Sequence, residues 1–295
     1  MFSQFFGNYL LENQKITAEQ FSSCMEYIKA NRVNLELIAE REGLLSHQQV
    51  TTLKQLQMQE DRDFGDLAIK RGYLSESDVD YLLGLRGNLY LIFIQALEEN
   101  QCLTTEEIDQ CMADFQKDRG FSDAVMKAIQ DGDIEKFLPA FVDTPDDDYL
   151  FFIGLTLRSI VRFISPYIQI GKGHFVSSFS PHCIARQRIT GDSEGFLGFC
   201  CDGDDDGILA IADGYAKEHF DTVDEDALDS AAEFVNCVNG LYAAELSFQN
   251  ISIDMEPPEL LFDTTIQDDN DFYVLPVYIE GRKLDLIIKI SKKEK

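Results

Sequence analysis

A chain of 295 residues is long enough for two ordinary domains, each with its own buried core. Its 53 Asp and Glu against 25 Lys and Arg leave a formal net charge of −28, a surface that repels phosphate backbones and anionic lipid. Nucleic acid and membrane surfaces are therefore poor candidate partners, whereas a basic or locally basic protein partner is allowed.

Reading for self-similarity, the first half repeats with a step of 29 residues: Gln14, Gly43, Gly72 and Gln101 stand in register. So do Phe6, Leu35, Phe64 and Phe93; Ile16, Leu45, Leu74 and Leu103; and Phe21, Val50, Val79 and Ile108. Each copy places a hydroxyl (Thr17, Ser46, Ser75, Thr104) before a polar triplet bearing Glu or Gln and then an apolar residue, the pattern of a helix N-cap. Each repeat is thus predicted to be a helix, a tight turn and a capped helix, with Gly43 and Gly72 suited to a left-handed helix stop. The expected organisation is an all-helical repeat domain at 1–138, a linker at 139–148 carrying PAFVDTPDDD, and a second domain at 149–295.

The repeat motif resembles the N-terminal module of type II secretion ATPases, some of which bind cyclic di-GMP. Gly7 and Gly65 match its early glycine, and Gln57 a later glutamine. Ligand-binding versions begin each motif with Arg, where this chain has Phe5, Asn34 and Asp63. A phosphate would meet carboxylates there instead of guanidinium groups. The expectation is a packing or partner-docking scaffold, with a signal-sensing module as the rival.

After 148 the texture changes. An apolar helix at 149–164, interrupted by Arg158 and Arg162, is too short to span a bilayer. Strand-like runs follow at HFVSSFS, ARQRIT and GFLGFC, then helices near 206–219 and 225–246. The end carries ISIDMEPP and a hairpin of FYVLPVYI and KLDLIIKI around Glu280-Gly281. This order predicts an α+β fold, with helices packed on one face of an antiparallel sheet.

In DEDALDSAAEFVNCVNGLYAAEL, which starts at Asp224, a helical period places Asp229, Glu233 and Asn236 within a wedge of roughly 60°. Gly240 falls on the same polar face, while Phe234, Val235, Val238, Leu241 and Tyr242 are expected on the other. A plain amphipathic helix with a solvated side would look the same from geometry alone. The D-x-x-x-E-x-x-N pattern, however, resembles the signature of the CheX, CheC and FliY phosphatases. The acidic lead Asp224-Glu225, Gly240 and the following Pro257-Pro258 fit the same template, so the likeness covers about 148 to 292. The prolines fall one or two residues earlier than in the family's usual motif, a difference of loop length.

The resemblance implies a phosphatase for the aspartyl phosphate of a CheY-like receiver domain in chemotaxis or related two-component signalling. Asn236 would orient the attacking water and Glu233 would pair with a receiver lysine. Asp229 and Gly240 would serve docking. Mg²⁺ would be held by the receiver, with no cofactor bound by this chain. The motif occurs in one copy, so one site per chain is expected, and a homodimer of the CheX type would carry two. The rival from another class is a non-catalytic CheX-like adaptor.

Other patterns yield blander readings. Asp202, Asp204, Asp206, Gly207 and Asp213 have the spacing of a calcium loop, but they follow a strand-like run and the twelfth position is Asp. A strand-to-helix turn with acids at the helix start is expected instead. The four histidines show no metal spacing with one another or with cysteine. Seven cysteines, an odd count without C-x-x-C, read as reduced thiols. With MFSQFFGNYL lacking a basic-then-apolar leader, the expectation is a cytoplasmic protein.

Overall fold

The computed structural model describes residues 1–57, 62–144, 146–203 and 205–292. The chain divides into two compact units, Phe2–Ser122 and Asp123–Lys295, the latter with Met1.

The first unit is built from paired helices: α1 (Phe2–Glu12) with α2 (Ala18–Ala30), α3 (Leu35–Arg41) with α4 (His47–Gln57), α5 (Phe64–Lys70) with α6 (Glu76–Gly84), and α7 (Leu89–Glu99) with α8 (Thr105–Arg119). Each pair is one 29-residue repeat. Thr17, Ser75 and Thr104 form reciprocal capping boxes with the residue three positions on. Ser46 and Gln49 exchange the same two bonds, at 2.9 and 3.3 Å.

The turns are also alike. Gln14, Gly43, Gly72 and Gln101 all have positive φ, between 53° and 71°. In each turn the next amide reaches back to the helix, as in Lys15 N to Leu10 O (2.8 Å) and Leu44 N to Ala39 O (2.9 Å). This helix stop satisfies the last carbonyls, so it persists at the two glutamines despite a left-handed cost of about 1 kcal/mol for a residue with a Cβ. Phe6, Phe64 and Phe93 are buried at the repeated core position, whereas Leu35 is half-buried.

The two early glycines are packing residues. A Cβ on Gly7 would lie 2.2 Å from the Phe21 ring, and one on Gly65 would lie 3.0 Å from Val79 Cγ1. Phe21 and Val79 occupy the same place in their repeats, so the glycine lets the two helices of a repeat approach closely.

The second unit begins earlier than the sequence suggests. Helices α9 (Asp123–Asp131) and α10 (Ile134–Phe137), read above as the end of the repeat domain, group with it. Residues 139–148, read as a linker, lie within it, and Pro145 falls outside the described residues. α11 (Asp147–Phe163) follows, capped by Asp146, whose carboxylate accepts from Asp148 N at 2.9 Å.

The remaining elements are β1 (Ile168–Ile170), β2 (His174–Phe179), β3 (Cys183–Gly191), β4 (Ser193–Cys201), α12 (Asp206–Ala216), α13 (Glu225–Phe248), β5 (Ile253–Met255), β6 (Glu259–Phe262), β7 (Ile266–Ile279) and β8 (Arg282–Lys292). The strands form one antiparallel sheet in the order β1-β7-β8-β4-β3-β5, with β2 also on β7 and β6 also on β3. The β7–β8 hairpin closes at Ile279 opposite Arg282, with Glu280 and Gly281 both at positive φ, as a two-residue type I′ turn requires. The fold is thus α+β: a helical N-terminal region followed by a curled antiparallel sheet.

Alternation along β3 sends Ala185, Gln187 and Ile189 to the helix side and Ile184, Arg186 and Arg188 to the other. On the helix side Phe234 stacks on Phe199 at 5.5 Å and Tyr242 stacks on Phe152 of α11 at 4.1 Å. The opposite side carries its own small core of Ile184, Phe196, Cys200, Ile266, Phe272, Val274 and Ile287. Arg186 is buried there in an ion pair with Glu259, its guanidinium 5.5 Å from the Phe196 ring centre. Among the described residues no helix is long and apolar enough to cross a membrane.

Candidate functional site

α13 is fixed at its start by Asp224, whose carboxylate accepts from Ala227 N at 3.0 Å. Glu225 and Asp226 in its first turn complement the positive end of the helix dipole. Ser230 Oγ donates to Ala212 O at 3.1 Å and ties α13 to α12. Ala231, Phe234, Val235, Val238 and Tyr242 are buried and set the rotation of the helix about its axis.

That rotation leaves Asp229 and Glu233 exposed, with Asn236 and Gly240 half-buried beside them. The structure therefore brings all four expected residues onto one face. Leu241, expected on the packed side, is instead 36% exposed and borders this face. Neither Asp229 nor Glu233 has a hydrogen bond or ion pair among the described residues. Both line a groove of about 480 Å³ between the end of α12 and the first half of α13, with Glu218 and Asp226 adding charge and Tyr215 and Phe220 adding apolar walls. Among the described residues, none lining the groove is cationic. Burial, Cys237 and Glu233 push the Tyr215 hydroxyl above its ordinary value, so it stays protonated and able to donate.

Gly240 differs from the glycines of the repeats. A Cβ placed there meets nothing within 4 Å. Among the described residues no close packing at this position offsets the roughly 1 kcal/mol that glycine costs relative to alanine inside a helix.

Asn236 is held from below. Its Oδ1 accepts from Gln187 Nε2 at 2.9 Å, and the same Nε2 donates to the Glu256 carbonyl at 2.8 Å. Gln187 Oε1 accepts from Asn239 Nδ2 at 2.8 Å. Gln187 and Asn239 are almost fully buried and were not singled out in the sequence. The available signal was a glutamine at a core-facing strand position, together with an Asn-x-x-Asn spacing that puts two amides on neighbouring parts of one helix.

Other sequence candidates resolve into structural roles. Asp206 and Asp213 lie in α12, and Asp213 Oδ1 accepts from Phe220 N at 2.9 Å, closing the turn after the helix. Asp204 lies outside the described residues. No group of three or more His, Cys, Asp or Glu side chains that could hold a metal ion occurs among the described residues. His182 Nδ1 lies 2.8 Å from Asp263, which holds the imidazole above its usual value. All seven cysteines are free thiols.

In the repeat unit, Asn34, Gln57, Asp63 and Gly65 surround a cavity of about 370 Å³ with Glu36, Asp66 and Arg86. Phe5 is buried and is not part of it.

No curated protein matches the chain. Among solved structures, the chemotaxis protein CheX from Desulfovibrio desulfuricans is similar at 16% identity and a TM-score of 0.40, covering 48% of this chain and 96% of that one. A chemotactic CheC-like protein from Shewanella oneidensis MR-1 is similar at 16% identity and a TM-score of 0.41, over 48% and 95% of the two chains. The CheX–CheY–BeF3–Mg²⁺ complex from Borrelia burgdorferi gives 16% identity and a TM-score of 0.40, over 48% and 96%. Residues 183–277 match the family model described as chemotaxis phosphatase CheX, a stretch that excludes the repeats and contains Gln187, Asp229, Glu233, Asn236 and Gly240.

Proposed function

We propose that the second unit is a phosphatase acting on the aspartyl phosphate of a CheY-like receiver domain. The observation that carries this reading is the pinned carboxamide of Asn236 beside the unpaired carboxylate of Glu233, on an open helix face inside the CheX-matching stretch.

The chemistry asks little of this chain beyond positioning. A receiver aspartyl phosphate is an acyl phosphate, so its leaving group is a carboxylate and needs no acid from the phosphatase. Water attacks phosphorus in line, the bond from phosphorus to the aspartyl oxygen breaks, and the electron pair leaves with the carboxylate. One water proton passes to the released phosphate, and the receiver returns with a free aspartate. With Oδ1 engaged by Gln187, Asn236 presents both Nδ2 hydrogens, which have no partner among the described residues. They can hold a water oxygen and a phosphoryl oxygen at a fixed separation, removing the orientational freedom a bulk water would have. The Mg²⁺ that neutralises developing charge belongs to the receiver in this scheme.

Docking follows from charge. Glu233 pairs with a receiver lysine, Asp229 supports the same cationic approach, and the absent side chain at Gly240 leaves room for the partner's backbone. This reading predicts a receiver affinity that weakens as salt rises.

The test is phosphate release from a panel of phosphorylated receiver domains, with Asn236→Ala and Glu233→Ala beside the parent chain. The parent should accelerate decay of at least one receiver. Asn236→Ala should lower the maximal rate by about 100-fold, and Glu233→Ala should raise the half-saturating receiver concentration by about tenfold. If no receiver responds, or both variants match the parent, α13 is a docking surface and the non-catalytic adaptor reading takes over.

A further inference from the structure

The hydrogen-bond pattern beneath Asn236 is determined by a single group whose orientation is not in question. Pro257 and Pro258 have no amide hydrogen, so the strand pairing along the free edge of β3 breaks between β5, which pairs with Ile189–Gly191, and β6, which pairs with Cys183–Arg186. At that break, the backbone carbonyl of Glu256 is taken by the side chain of Gln187. A carbonyl can only accept, so the Gln187 nitrogen must face it. The second Nε2 hydrogen then needs an acceptor, which makes the nearer atom of Asn236 its oxygen. Gln187 Oε1 in turn needs a donor, supplied by Asn239 Nδ2. One backbone carbonyl thus sets the orientation of three consecutive amides.

Burying this amide is costly unless it is satisfied. Gln187 is 1% exposed between Ala185 and Ile189 on an otherwise apolar strand face, under a helix. An apolar residue at 187 would pack there without needing three partners. The glutamine accordingly makes two contacts that packing alone does not require: it satisfies the Glu256 carbonyl and it donates to the Asn236 amide oxygen.

We propose that Gln187 is a positioning residue for the phosphatase reaction, locking Asn236 so that its NH₂ faces the receiver. The inference rests on the phosphatase reading and deepens it. Asn239 acts one step further back by holding Gln187. A free asparagine would sample both amide orientations, and the one presenting oxygen would meet a phosphoryl oxygen unfavourably.

The experiment compares the parent chain with Gln187→Met and Gln187→Glu in the receiver assay, measuring maximal rate and half-saturating receiver concentration separately. Met keeps the length of the side chain but leaves Asn236 free to turn. Glu keeps the shape but offers Asn236 an acceptor, which favours the reversed amide. Both variants should lower the maximal rate by about tenfold or more, with the half-saturating concentration unchanged. Combining Gln187→Met with Asn236→Ala should cost no more than Asn236→Ala alone, because the two act as one unit.

A maximal rate equal to the parent's, or a double variant that loses a further factor, would overturn the inference while leaving the phosphatase reading in place. A parent chain that accelerates no receiver defeats that reading, and the inference with it. Should both variants fail to fold, hydrogen exchange in the ¹⁵N-labelled parent decides the matter. Gln187 side-chain protons exchanging as fast as those of a free glutamine would overturn the locking, and protected ones support it.

Discussion

Gly7 and Gly65 in the repeats and Gly240 on α13 are all helical glycines, yet they stand in opposite surroundings. In the repeats a Cβ would strike Phe21 or press on Val79, so the helix-propensity cost is offset inside the chain by close helix packing. On α13 the space above Gly240 is empty, and the residues beside it, Asp229 and Glu233, have no hydrogen bond or ion pair among the described residues. A local cost matched by a local contact is sufficiently explained by folding. A local cost with no contact among the described residues is not explained by packing, and under the proposed function the open position is where the receiver docks.

The comparison breaks most visibly if Gly7 tolerates a side chain. Gly7→Ala should lower the stability of the repeat unit by about 1–3 kcal/mol through overpacking against Phe21, even after the gain in helix propensity. Thermal unfolding would register it as a lowered midpoint. Next in size is the repeat cap: Thr104→Ala should cost about 1 kcal/mol, measurable by urea unfolding, and should leave receiver affinity untouched. Gly240→Ala should do the reverse of Gly7→Ala. It should stabilise the second unit by roughly 0.5–1 kcal/mol and weaken receiver binding in the same preparation. A destabilised Gly240→Ala variant would mean that the glycine is needed by the fold after all.

The smallest effects concern pH, and their signs differ between the units. Hydrogen bonds from the backbone and hydroxyl of Thr104 hold the Glu107 carboxyl below its ordinary 4.5, and those from Ser75 hold Asp78 below 3.8. The stability they contribute is present above those ordinary values and is lost as pH falls through the lower folded ones. His182 is held above 6.5 by Asp263. Its contribution is complete below 6.5 and disappears as pH rises through the higher folded value. Titration of the individual side chains by NMR should show downward displacement at Glu107 and Asp78 and upward displacement at His182. Glu107 and His182 are exposed, so their displacements should shrink in high salt.

Much of the repeat unit was legible because its determinants are local. A hydroxyl three residues before an acidic or amide side chain is a local helix-start signal, as at Thr17, Ser75 and Thr104, and the 29-residue step announced four copies of one solution. The two glutamine turns were less legible, since only comparison with Gly43 and Gly72 hinted that Gln14 and Gln101 would adopt positive φ. The face of α13 was equally readable, because 3.6 residues per turn places Asp229, Glu233, Asn236 and Gly240 together before any packing is known. Leu241 went astray for the same reason: it lies at the edge of the apolar arc, where only the width of the surface beneath decides whether it is covered.

What the sequence determined by itself was the local part of the protein: the repeat caps, the α+β order of elements, the hairpin at Glu280-Gly281 and the composition of the exposed face of α13. Only the tertiary structure decided what lies under that face. Gln187 and Asn236 are 49 residues apart and Gln187 and Glu256 are 69 apart, so no periodicity relates them. Their meeting depends on the register of β3 against β5 and β6 and on how α13 is rotated over the sheet. It was likewise tertiary packing that drew α9 and α10 into the second unit, because a short helix carries no local mark of the core it will join.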